Sequence, residues 1–188
     1  MTRLKTTTGV LIGSLLLFGT IDPVAAETIK YHERSFGTFH NTAIDTNSDS
    51  IPATLSLLTG KTSAGPMTGE TLGEFRPFNP STDIPSGECA VGTLEFPFVN
   101  GVGVNRFQDG SMLVLAPNFS VLCLDPLTGT GIFINRGEFQ SRGSTKRFEG
   151  VSGSWETHGT VTGLVFTPTG QGVMGTVNFE LNGNLVLP

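Results

Sequence analysis

Apolar residues occupy every second position over several short stretches of this chain, and the clearest stretch lies near its centre. Between residues 93 and 98, the apolar side chains are Leu94, Phe96 and Phe98. A period of two is typical of a β-strand with one buried face. From residue 27 onward no stretch sustains a helical period, so the pattern predicts an all-β protein.

Glycine and proline residues in the centre of the chain mark predicted turns and bends. Asp109-Gly110 separates two apolar runs and predicts a tight hairpin turn, because both central positions of such a turn favour positive φ. Gly101 and Gly103 indicate a bulge or a bend within a strand. Pro117-Asn118 is predicted to be another turn. Residues 89–125 are therefore predicted to form a meander of three strands joined by short turns.

Further apolar stretches bring the total to eight to ten strands. Residues 131–140 and 155–168 each predict one strand, and residues 173–187 predict either a strand pair or one long bent strand. Residues 76–88 hold three prolines and predict a surface loop. The fold that removes exposed sheet edges is a single antiparallel β-barrel of about eight strands, whose interior holds side chains or one small ligand.

The N-terminal segment has the pattern of a secretory signal peptide. Basic Arg3 and Lys5 precede an apolar run at residues 10–18, and small residues end at Ala26. The run is too short for a permanent membrane span. Residues 1–26 are therefore predicted to be a signal peptide helix, and residues 27–188 a β-barrel domain that is secreted or periplasmic.

The two cysteines, Cys89 and Cys123, are predicted to form a disulfide, because an exported chain usually meets an oxidising compartment. A reactive thiol pair and a metal pair are the alternatives. Strict alternation puts Cys89 on the side of Glu95, away from the Leu94 face. The bridge therefore needs either a bulge near Gly92 or a place on the outer face.

Charge and motifs exclude several functions. The net charge of −5 argues against binding to nucleic acid or anionic membranes. The three histidines, His32, His40 and His158, lack the tight spacing of a zinc site. No G-x-S-x-G nucleophile motif occurs. The sequence therefore predicts neither a metal site nor a cofactor.

Several glycine-rich stretches carry a resemblance to a known group. The best is residues 142–153, Arg-Gly-Ser-Thr-Lys-Arg-Phe-Glu-Gly-Val-Ser-Gly; the others are Cys89 with residues 92–98, residues 101–107 and residues 122–126. Together they resemble small exported β-barrel proteins related to the allene oxide cyclase and dirigent barrels. Ser144 and Lys146 replace two glycines of that pattern, and Val151 replaces an alanine. The resemblance implies a barrel plugged by Phe148 and an apolar pocket with few polar groups.

Three residues are the candidates for contact with a ligand: Glu95, Arg106 and Phe148. Glu95 and Arg106 would contribute a polar contact if their side chains pointed into the barrel. Alternation favours the outer face for Glu95, because Glu95 is out of phase with Leu94 and Phe96. No catalytic residue is assigned.

Three hypotheses of function follow. The first is a non-catalytic exported barrel that binds a small apolar ligand or has a structural role. The alternative is a cyclase-like or dirigent-like protein that steers a reactive apolar intermediate, and an ionisable residue inside the cavity would distinguish it. The third is a structural module filled by its 14 phenylalanines. Residues 112–116 are apolar on both faces and must be covered by another element or by a second copy in a homo-oligomer.

Overall fold

The computed structural model describes residues 26–166 and 172–188, and it is a closed barrel of eight antiparallel strands. Each strand pairs with the next one in the chain, and the last strand pairs back with the first. The strands are β1 (Glu27–Asn41), β2 (Thr54–Thr62), β3 (Gly65–Phe75), β4 (Leu94–Phe107), β5 (Met112–Asp125), β6 (Thr130–Gln140), β7 (Ser152–Phe166) and β8 (Gly172–Leu187). The all-β class and the barrel of about eight strands are confirmed.

The predicted signal peptide lies outside the described residues, apart from Ala26. Within residues 26–166 and 172–188, none of the helical structure is long and apolar enough to cross a membrane.

Alternation along β1 shows how sequence sets the inner face of the barrel. Tyr31, Glu33, Ser35 and Phe39 are buried, whereas the even-numbered residues between them lie on the outer face. Because successive side chains of a strand point to opposite faces, this set of odd-numbered residues points into the barrel. The same strand thus supplies the barrel with two aromatic rings, two hydroxyl groups and a carboxyl group.

Two clusters of buried side chains fill the barrel, one near each end. The lower cluster lies at the end where β1 begins, and the upper cluster lies at the end where β1 finishes. The lower cluster contains Tyr31, Met67, Phe107, Leu113, Leu115, Phe139, Phe148, Val151, Trp155, Leu181 and Leu185. The upper cluster contains Phe39, Leu58, Phe133, Val161 and Val177, with Phe75, Leu122, Leu164 and Phe179 packed against it.

Phe148 closes the lower end of the barrel. It ends a short 3₁₀ helix, Lys146–Phe148, and its side chain is only 2% exposed. Its ring centroid lies 5.0 Å from that of Phe107. Gly143 (φ +89°) and Gly150 (φ +74°) flank the helix in backbone conformations that favour glycine. The glycine-rich stretch of residues 142–153 therefore forms a turn that places the ring of Phe148 inside the barrel.

The predicted turn at Pro117-Asn118 is wrong, because both residues lie inside β5. The pairing register with β6 shifts between Pro117 and Phe119, which marks a bulge. Proline has no N–H to donate to the ladder, and a bulge accommodates it without ending the strand. The predicted turn at Asp109-Gly110 is confirmed: it joins β4 to β5, and Gly110 has a φ of +75°.

The predicted disulfide between Cys89 and Cys123 is confirmed, with a Cα–Cα distance of 5.3 Å. Cys123 packs with Val121 and Ile134 in a small cluster on the outer face of β5 and β6. The bridge fastens the β3–β4 loop, residues 76–93, over this apolar patch. The outer-face placement is therefore the correct one of the two geometries that alternation left open.

The chain itself covers part of the apolar outer side of residues 112–116. The backbone N–H of Thr145 donates to the carbonyl of Met112, and the N–H of Val114 donates to Ser144 Oγ. Gly143 also lies against Val114. This cover comes from the segment between β6 and β7, and the homo-oligomer stays a prediction.

Candidate functional site

A cavity of about 110 Å³ lies inside the barrel between the two core clusters. Residues of the upper cluster line one side of it and residues of the lower cluster line the other. Five aromatic rings contribute to its wall, together with aliphatic side chains and a few polar groups. The lining residues are Glu33, Thr54, Ser56, Leu58, Thr71, Leu72, Gly73, Phe75, Phe98, Val102, Gly103, Asn105, Leu115, Pro117, Ser120, Phe133, Asn135, Trp155, Thr157, Phe179 and Leu181.

The cavity lies directly behind a gap in the pairing of β4 with β5. These strands pair at residues 94–97 with 121–124 and again at residues 103–106 with 112–115. Between the two ladders, residues 98–102 and 116–120 form no pairs with each other. We call this gap the β4–β5 seam. Residues on both sides of the seam line the cavity, and among them Val102 is 42% exposed.

Glu33 of β1 is the only acid or base among the lining residues of the described chain. The residue is only 4% exposed, and three neutral side chains donate hydrogen bonds to its carboxylate. Ser35 Oγ donates to Oε1 over 2.8 Å, whereas Tyr31 Oη (3.2 Å) and Asn105 Nδ2 (2.6 Å) both donate to Oε2. The cavity therefore contains a carboxyl group that is oriented by three partners.

Burial raises the pKa of Glu33 above its ordinary value of 4.5, because a charged carboxylate loses its hydration inside the barrel. The hydrogen bonds from Ser35, Asn105 and Tyr31 oppose this effect, but burial dominates. The pKa of the Tyr31 hydroxyl is also raised, first by burial and then by the neighbouring Glu33 charge. Tyr31 therefore acts near neutral pH as an O–H donor.

A glycine makes the contact between Asn105 and Glu33 geometrically feasible. Gly69 of β3 pairs with Asn105, and a Cβ atom at Gly69 would lie 2.8 Å from Asn105 Oδ1. A side chain there would displace the amide. Because Gly69 has no side chain, Asn105 can lie across β3 and reach the carboxylate of Glu33.

A second set of polar side chains, from β5, β6 and β7, lines the cavity wall. Ser120 pairs with Asn135, and Asn135 pairs with Thr157, so the three side chains form a row across neighbouring strands. Ser120 Oγ donates a hydrogen bond to Asn135 Oδ1. The row continues through Leu181 to Glu33, again by direct cross-strand pairing. The cavity thus combines a largely aromatic wall with one belt of hydrogen-bonding groups.

None of the three sequence-predicted ligand residues is among the lining residues of the described chain. Glu95 lies at the cluster around the disulfide, where it pairs with Cys123 and its Oε1 accepts a hydrogen bond from the N–H of Ser86. Arg106 is exposed on β4, with Nη2 3.9 Å from Glu70 Oε2. Phe148 lies at the lower end, where it belongs to the lower cluster. The structure does not bring these three together.

Sequence reasoning missed Glu33, although its signal was present. Ile29 and Tyr31 mark one face of β1, and Glu33 continues that face at the next alternate position. A carboxyl group in phase with apolar residues indicates either a buried site or an interrupted strand. The hydrogen-bond partner from β4 could not be found from this pattern, because it depends on how the barrel closes.

A second buried carboxyl group, Glu74 at the end of β3, belongs to a different environment. Glu74 is fully buried, and its Oε1 accepts hydrogen bonds from the N–H and the Oγ of Thr46. It therefore fastens the β1–β2 loop and is not part of the cavity wall. In the part of the chain that the structure describes, no group of three or more His, Cys, Asp or Glu residues could hold a metal ion.

Comparison with known proteins gives no match: no family model, no curated protein and no solved structure is significantly similar to this chain.

Proposed function

We propose that this protein binds a small, mainly apolar ligand inside its barrel. The observation that carries the proposal is the cavity of about 110 Å³, lined by aromatic and aliphatic side chains with a few oriented polar groups. Ligand sites in proteins typically combine such a wall with a small number of polar groups that fix the orientation of the ligand.

The size of the cavity sets the size of the ligand. An apolar cavity of about 150 Å³ holds a benzene molecule. The cavity of about 110 Å³ therefore takes a compact group of four or five carbon atoms, with any larger portion extending towards the surface.

The β4–β5 seam is the proposed access route. Across the seam β4 and β5 have no ladder pairs with each other to break, and Phe98, Val102 and Pro117 form both the seam and the cavity wall. A ligand that enters here displaces side chains without opening the hydrogen bonds of the barrel.

A titration with 1-pentanol tests the proposal, because this probe is neutral and matches the size of the cavity. Amide NMR shifts are recorded during the titration, and we expect saturable shifts at lining residues such as Gly103, Ser120 and Thr157. Thr71→Phe should abolish these shifts, since Thr71 lines the cavity and the larger ring would occupy it. Thr68→Phe is the matched control, because Thr68 is exposed on the same strand. Equal shifts in both variants would contradict the proposal.

The second candidate function is a protein that steers a reactive apolar intermediate, as cyclase-like and dirigent-like barrels do. The presence of the ionisable Glu33 among the lining residues favours it, since a buried acid can transfer a proton to or from a bound molecule. Its test is chemical change of a bound ligand. A ligand released unchanged by the wild type and by Glu33→Gln would argue against this function and leave binding alone.

A further inference from the structure

We propose that the cavity selects a ligand with a cationic head, such as a primary alkylammonium group, that pairs with Glu33. This inference rests on the proposed ligand-binding function and specifies the chemical class of the ligand. The apolar portion of the ligand would pack against the aromatic wall, and the ammonium group would contact the carboxylate.

The described part of the chain does not use the full hydrogen-bonding capacity of Glu33. A carboxylate has about four acceptor positions. Oε2 accepts two hydrogen bonds, from Tyr31 and Asn105, and Oε1 accepts one, from Ser35. One position on Oε1 is left for a donor from the ligand, and an ammonium group supplies such a donor together with a charge.

Within residues 26–166 and 172–188, no side chain that hydrogen-bonds to Glu33 supplies a balancing positive charge. The neighbouring strands β2 and β8 pair Thr62 and Leu181 with Glu33, and Asn105 reaches it from β4 across the barrel; none of these carries a charge. On β1 the nearest titratable groups are Tyr31 and His32. His32 lies on the outer face, where it hydrogen-bonds to Asn182. A buried carboxylate without a cationic partner is energetically costly, and a cationic ligand would offset that cost.

The environment of the carboxylate also distinguishes a cation from other ligands. Tyr31, Ser35 and Asn105 all direct donor groups at Glu33, an arrangement that favours the ionised form once the proton has left. An anionic ligand would face the same charge and be repelled. A neutral alcohol could fill the cavity and donate one hydrogen bond, but it would gain no ion pair.

Three probes with the same five-carbon chain test the proposal: n-pentylammonium, 1-pentanol and pentanoate. Dissociation constants are measured by NMR titration of the full folded chain at pH 5 and pH 8. We expect n-pentylammonium to bind at least about tenfold more tightly than 1-pentanol at pH 8, because a charge-assisted hydrogen bond is roughly twice as strong as a neutral one. The preference should shrink at pH 5, since the raised pKa of Glu33 leaves more of the carboxyl protonated there.

Two variants show whether Glu33 causes the preference for n-pentylammonium over 1-pentanol. Glu33→Gln keeps the shape of the side chain and should reduce the ratio of the two dissociation constants to about one. Glu74→Gln removes the other buried carboxyl group, which binds Thr46 away from the cavity, and should keep the preference. If Glu33→Gln does not fold, the wild type alone is the test: its preference for n-pentylammonium over 1-pentanol should be larger at pH 8 than at pH 5, and an unchanged preference would contradict the role of Glu33.

The outcomes separate this inference from the proposed function. Equal binding of n-pentylammonium and 1-pentanol at both pH values would overturn the cationic class and leave the apolar pocket intact. Tighter binding of pentanoate than of the other two probes would also overturn it. Binding of none of the probes would remove both the inference and the proposed function.

Discussion

Asn105 on β4 donates a 2.6 Å hydrogen bond to Glu33 on β1, although two other strands separate β1 from β4 in the barrel. The bond crosses the interior and joins two walls that no backbone ladder connects. The same Nδ2 group lies 3.2 Å from Tyr31 Oη, so one amide orients both the acid and its neighbouring hydroxyl. The polar part of the cavity is therefore a product of barrel closure.

Removal of this amide should destabilise the protein. Asn105→Ala deprives the buried carboxylate of its shortest donor, and a lost hydrogen bond to such a group costs about 1–3 kcal/mol in the free energy of unfolding. Urea denaturation measures the change. Asn178→Ala, at an exposed asparagine on β8, should stay within about 0.5 kcal/mol of the wild type. A loss at Asn105 as small as that of the control would show that the cross-barrel bond is weak.

The raised pKa of Glu33 sets a pH dependence with a definite sign. The folded protein holds the Glu33 proton more tightly than the unfolded chain does, so the contribution of Glu33 to stability is greatest below the ordinary carboxyl value of 4.5. This contribution is lost as pH rises from that value through the raised pKa. The difference between the wild type and Glu33→Gln isolates it from carboxyl groups with a lowered pKa, such as Asp83, which act at lower pH. A difference that does not change between pH 4 and pH 8 would refute the assignment.

Loss of the ring that closes the lower end should be among the most damaging single changes. Phe148→Ala empties a site that is 2% exposed, and substitutions of this kind cost about 3–5 kcal/mol. Thermal and urea denaturation both report it. Phe36→Ala is the matched control, because Phe36 is 61% exposed on the outer face and its loss should change stability little. An unchanged melting temperature for Phe148→Ala would contradict the position of this ring.

Loss of the disulfide should release the loop over the outer face of β5 and β6. Cys89 and Cys123 are separated by 34 positions, and in the chain-entropy model a closed loop of this size stabilises by up to about 4 kcal/mol. The double variant Cys89→Ser with Cys123→Ser should therefore unfold at lower urea concentration. Residues 76–93 should also become sensitive to protease, although Arg76 and Asp83 still form a bidentate ion pair within that loop. Protease resistance equal to that of the wild type would show that the remaining contacts of the loop, such as this ion pair and the Ser86–Glu95 hydrogen bond, hold it without the disulfide.

The barrel could be predicted because its signals are local. Alternation of apolar residues, the Asp109-Gly110 turn and the glycines around Phe148 each depend on a few neighbouring positions. The error at Pro117 has the same origin: a proline usually ends a strand, but the paired strands on either side keep β5 continuous through a bulge.

The site could not be predicted in the same way. Glu33, Asn105 and Ser120 come from three strands whose proximity depends on pairing register and on closure of β8 against β1. Glu95 and Arg106 are candidates because a charged side chain on a strand can point into the barrel, yet the structure places neither in the cavity wall. Local periodicity thus identifies which face a residue occupies, whereas contacts across the barrel require the full topology.

Native mass spectrometry of the folded protein, purified from the cells that produce it, tests ligand binding most directly. If the cavity binds a small molecule, the wild type should carry an additional mass that the cavity-filling variant Thr71→Phe lacks and the surface variant Thr68→Phe retains. Wild type, Thr71→Phe and Thr68→Phe that all show only the mass of the polypeptide would contradict a ligand-binding barrel.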